Sequence, residues 1–98
     1  MSYTIKLKSG FFKTLKYTMM VEDDQLILRP DLAEGVDLIA INNEDVLELG
    51  IIRYPNGRRE FEIITTGGYY FGCISPAVDL EVLVGVLKKS FGRRFSIE

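Results

Sequence analysis

The chain has 98 residues, with 47% hydrophobic and 27% charged positions and a formal net charge of −2. That length suits one domain with a sizeable core, and the mild acidity disfavours generic nucleic-acid binding, which needs a strongly basic face. There is no histidine and one cysteine, so the commonest general base, a Cys/His zinc cluster and a Cys-His or Ser-His nucleophile pair within one chain are all excluded.

No run of residues approaches the roughly 20 apolar positions of a membrane span, and Met-Ser-Tyr-Thr-Ile-Lys at the start lacks the apolar core of a signal peptide. With Cys73 unable to form an internal disulfide, a reducing, cytoplasmic setting is expected. No cofactor and no metal site is expected. The acidic runs Glu22-Asp23-Asp24 and Glu44-Asp45 lack the glycine-punctuated loop of a calcium site and read as turns.

Charge is distributed unevenly. Met1 to Met20 carries Lys6, Lys8, Lys13 and Lys16 and no acid. Val21 to Glu48 carries nine acids against Arg29 alone, and Leu49 to Glu98 is mildly basic.

The first element is "YTIKLK", in which Tyr3, Ile5 and Leu7 alternate with Thr4, Lys6 and Lys8, as in a half-buried strand. Ser9-Gly10 breaks it. "KTLKYTMMV" is a second strand with Leu15, Tyr17 and Met19 in phase, and "EDDQ" turns it into "LILRP", stopped by Pro30. "DLAEG" reads as a loop or helical turn, "VDLIAI" as a fourth strand, "NNEDV" as a turn and "LELGIIRY" as a fifth strand. Pro55-Asn56-Gly57 is a hairpin turn. "RREFEIITT" and "YYFGCI", joined at Gly67-Gly68, complete an antiparallel meander. Cys73 reads as a small buried hydrophobe. The period then changes to helical: Leu80, Leu83, Val84, Leu87 and Phe91 share a face. Ser75-Pro76 reads as the start of this helix and Gly92 as its end. The expected fold is α+β and mainly β: about seven antiparallel strands in a bent sheet or open barrel, closed by a helix from Pro76 to Phe91.

Seven strands and a closing helix in this order resemble the pleckstrin-homology (PH) superfold, which includes GRAM and bacterial PH-like domains. "GFFKTLKYTMMVEDDQLILRP" looks like a PH-type opening, "VDLIAINNEDVLELGI" is similar to a GRAM stretch, and "FEIITTGGYYFGCISPAVDLEVLVGVLKKSF" looks like the last hairpin and capping helix. The resemblance implies a single non-enzymatic binding module spanning residues 1–98. Two departures stand out. The closing helix has no tryptophan, and Lys13 and Lys16 are three apart where the phosphoinositide signature has basic residues one apart.

Two functional readings follow. The first is protein–protein interaction or self-association, with Phe11 and Phe12 beside the lysines as partner-binding residues. The second is an anionic lipid or phosphate site built from Lys8, Lys13, Lys16, Arg58 and Arg59, since lysines act as point charges and paired arginines as clamps. Against both stands a plainer alternative. The lysines can be the solvated face of half-buried strands, and the arginines can pair with Glu60 and Glu62.

Overall fold

The computed structural model describes residues 2–8, 13–31 and 38–98. Phe11 and Phe12 lie outside the described residues, as does most of the expected Asp31–Gly35 turn. Eight strands are described, one more than expected: β1 (Ser2–Lys8), β2 (Thr14–Val21), β3 (Gln25–Pro30), β4 (Ile39–Asn42), β5 (Val46–Arg53), β6 (Arg59–Thr65), β7 (Tyr69–Ile74) and β8 (Phe95–Ile97). One helix, α1 (Leu80–Phe91), lies between β7 and β8. The strands form a single open sheet in the order β4-β3-β2-β1-β7-β6-β5-β8. All neighbours are antiparallel except β5 and β8, which are parallel.

The alternation in the sequence sets which face is inside. Tyr3, Ile5 and Leu7 of β1 are buried, as are Tyr17, Met19 and Val21 of β2, and Leu26 and Leu28 of β3. On β5 the alternation changes phase. A bulge between Val46 and Glu48 lets Val46, Leu49 and Ile51 all point inward, while Leu47 stays exposed. Leu83, Leu87 and Phe91 of α1 join the strand residues in one continuous cluster. Each such side chain contributes on the order of 1.5–3 kcal/mol by leaving water. The sheet therefore has one dry face, packed on the helix, and one wet face.

The helix begins four residues later than the Pro76 start expected from sequence. Its N-cap is Asp79, whose carboxylate accepts from the backbone N–H groups of Glu81 and Val82 at 3.1 and 3.3 Å. Ser75 opens a separate turn, accepting from Ala77 through its hydroxyl and from Val78 through its carbonyl. Arg59 ties this turn to β6 by donating to the carbonyls of Ser75 and Val78. Gly92 ends the helix at φ 57°, with its N–H on the Lys88 carbonyl.

The sheet is continuous only because β1 pairs with β7. At that joint a Cβ on Gly72 would lie 1.9 Å from the carbonyl oxygen of Lys6. Real atoms do not approach so closely, so any side chain at Gly72 must push the strands apart. Gly72→Ala is expected to cost about 2 kcal/mol or more, as overpacking against rigid backbone does. Gly67→Ala, where a Cβ meets nothing within 4 Å, is expected to stay within about 0.5 kcal/mol of wild type. Urea unfolding of the two variants checks this; equal midpoints would refute the joint's steric role.

Candidate functional site

The wet face carries every other residue of each strand. Register places Lys6 of β1 directly opposite Lys16 of β2, and Cys73 of β7 on the other side of Lys6. Glu60 of β6 follows next to Cys73. Beyond the end of β7, the chain turns at Ser75-Pro76 and faces the β5–β6 hairpin. These elements enclose a cleft of about 650 Å³ whose lining includes Thr4, Lys6, Lys16, Arg58, Arg59 and Cys73. Four lining side chains are cationic and, among the described residues, none is a carboxylate. Like charges directly opposite on neighbouring strands repel, so the Lys6–Lys16 pair makes this a place where a bound anion lowers the energy.

The cations are not equally available. Lys16 stands 3.9 Å from Asp31, an open contact at the sheet surface. Arg58 is ion-paired with Glu60 and lies over the Tyr54 ring, 5.8 Å from its centroid. Arg59 is committed to two backbone carbonyls. Lys6 makes no ion pair with any described residue. Two of the five expected ligand residues fall elsewhere. Lys8 stands over the Phe71 ring at 5.4 Å, outside the cleft lining. Lys13 is exposed just before β2 and also does not line it. Lys16, Arg58 and Arg59 are brought together. Lys6 was visible in the sequence as an outward residue of β1, but only the hairpin register sets it against Lys16.

Cys73 is half-buried on the outer face rather than inside the core, because β7 turns Gly72 and Ile74 inward. The same phase exposes Tyr69 and Phe71, whose rings are 5.3 Å apart. The Tyr69 hydroxyl donates to Glu62 at 3.3 Å.

The acids gather at another rim. The β2–β3 turn at Glu22-Asp23-Asp24 meets the 3-10 turn Asn43–Asp45. There Asn43 donates its N–H to the Asp24 carbonyl at 3.0 Å and its side-chain amide to the Asp23 carbonyl at 3.2 Å. Arg94 fastens this rim from below, donating to the carbonyls of Asn43 and Val46 at 2.6 and 3.0 Å. Among the described residues no group of three or more His, Cys, Asp or Glu side chains is gathered as a metal site. No described helix is long and apolar enough to cross a membrane. The chemistry on offer in the cleft is charge recognition.

No protein-family model matches the chain, and a search of curated proteins finds no match either.

Beside the cleft, the Tyr54 hydroxyl donates to Glu60 at 2.8 Å. That hydrogen bond, followed by the charge of Arg58, holds the Glu60 carboxyl below its ordinary 4.5. The same hydrogen bond raises the Tyr54 phenol above 10.0. A lowered carboxyl favours the folded state above its unfolded pKa, and that contribution fades as pH falls through the folded value. Tyr54→Phe is therefore expected to raise the Glu60 pKa and to shrink the loss of melting temperature on acidification from about pH 5 to 3. Carboxyl-detected NMR titration reads the first quantity. An unmoved Glu60 in the variant would discard the Tyr54 contribution.

Proposed function

We propose that this chain is a non-enzymatic binding module of PH-like architecture that holds an acidic protein surface in its outer cleft. The observation that carries it is the cross-strand pair Lys6 and Lys16, walled by Arg58 and Arg59, with no carboxylate among the described lining residues. Seven strands followed by a docked helix support the PH-like reading; β8 is an addition to that plan. A cytoplasmic setting suits the free thiol of Cys73.

A second reading has its own support. Tyr69 and Phe71 are exposed aromatic rings on the same face, with Lys8 over Phe71. An aromatic pair beside lysines suits an anionic lipid surface, where each cation adds about 1 kcal/mol.

A fluorescent Glu-rich peptide and vesicles containing phosphatidylserine separate the two. The expected result is peptide binding that weakens with salt, falls roughly tenfold or more in Lys6→Glu/Lys16→Glu, and changes less than about twofold in Lys13→Glu. Vesicle binding without peptide binding, lost in Lys8→Glu, would install the lipid reading. Binding of neither probe would reject the cleft as an anion site.

A further inference from the structure

The basic cleft and the acidic rim belong to one rigid sheet, yet they cannot reach each other. Glu22, just past the end of β2, lies six positions beyond Lys16, about 20 Å of extended strand. That exceeds the screening length of about 8 Å at physiological ionic strength. Glu22, Asp23, Asp24 and Glu44 are all exposed. None of them is ion-paired with a described residue. The turn that carries Glu22, Asp23 and Asp24 is already held by Asn43. A preformed acidic tip loses little freedom on docking, and the cleft offers a volume of about 650 Å³.

We propose that the acidic protein surface taken by the cleft is the Glu22–Asp24 tip of a second copy of this chain; this rests on the reading of the cleft given above. The two surfaces differ and lie apart on the molecule, so the contact is heterologous. Copies join head to tail, into a ring or an open chain. Charge complementarity selects this occupant: among the described residues the tip's carboxylates have no ion-pair partner, and the cleft presents Lys6, also unpaired, beside Lys16, whose one ion-pair contact is the open 3.9 Å approach to Asp31.

The test uses two variants of the full chain. Lys6→Glu/Lys16→Glu spoils the cleft and keeps the tip. Glu22→Gln/Asp23→Asn/Asp24→Asn spoils the tip and keeps the cleft. Mass is measured by sedimentation equilibrium. Wild type is expected to gain mass with concentration at low salt and to return to monomer near about 1 M salt, where screening is about 3 Å. Each variant alone should remain a monomer, and an equimolar mixture should reach about twice the monomer mass and stop there, because one working tip meets one working cleft. A wild type that stays monomeric at all concentrations, or a mixture that does not pair, overturns self-docking. The Glu-rich peptide is titrated in parallel. If it binds wild type and the tip variant but not the cleft variant while every sample is monomeric, self-docking fails and the cleft reading survives. If the peptide binds none of them and no mass grows, both fail.

Discussion

The seam between β1 and β7 is where the structure is made or lost. On one side of it lie β4, β3, β2 and β1; on the other lie β7, β6, β5 and β8. Both half-sheets contribute to a single apolar cluster around Leu83, Leu87 and Phe91, so neither can be dried without the other. Backbone approach at Gly72 draws them together, and the same approach sets Lys6 beside Cys73 on the outer face. The core and the cleft are thus the two faces of one strand pairing. A local change at the seam is felt in both, whereas a change at a hairpin tip such as Gly67 is felt in neither.

Arginines do structural work where the ladder ends. Arg59 satisfies the carbonyls of the β7–α1 connection, and Arg94 satisfies those of the β4–β5 bend. A planar donor with five N–H groups suits such sites, because it can serve two carbonyls at once. The consequence for binding is that formal charge overstates what is free. Arg59 lines the cleft but is engaged by backbone, and Arg58 is engaged by Glu60. The least engaged cations of the cleft are therefore Lys6 and Lys16, the latter 3.9 Å from Asp31.

Much of the fold was legible because alternation is a local signal. The buried residues of β1, β2, β3 and β6 stand where a period of two puts them, and Gly57 adopts φ 88° in the expected Pro55-Asn56-Gly57 turn. What was not legible depends on distant partners. Phe95–Ile97 is too short to announce itself as a strand, and it forms one only because β5 offers it a parallel edge. Helix α1 starts at Leu80, capped by Asp79, and the turn before it is held at Ser75 and Val78 by Arg59, far back in the chain. Cys73 reads as a core residue until the inward turn of Gly72 sets the phase of β7. The lysines were legible as outward charges, but which of them share a cleft follows from register. That register pairs Lys6 with Lys16 and leaves Lys8 to Phe71.

Segregated charge on a small rigid sheet constrains how strong any contact can be. Exposed ion pairs contribute about 0–1 kcal/mol each, so a few lysine–carboxylate contacts made in the cleft would govern orientation and encounter more than lifetime. A lasting complex also needs apolar area, and the wet face supplies it next to the charges, in Phe71, Tyr69 and Tyr54. A partner that meets only the cleft is held weakly and released by salt. One that also covers the aromatic strip of β7 gains desolvation that salt does not remove. The aromatic strip of β7 lies alongside the cationic one, so a partner covering both would add salt-resistant apolar burial to salt-sensitive charge contacts.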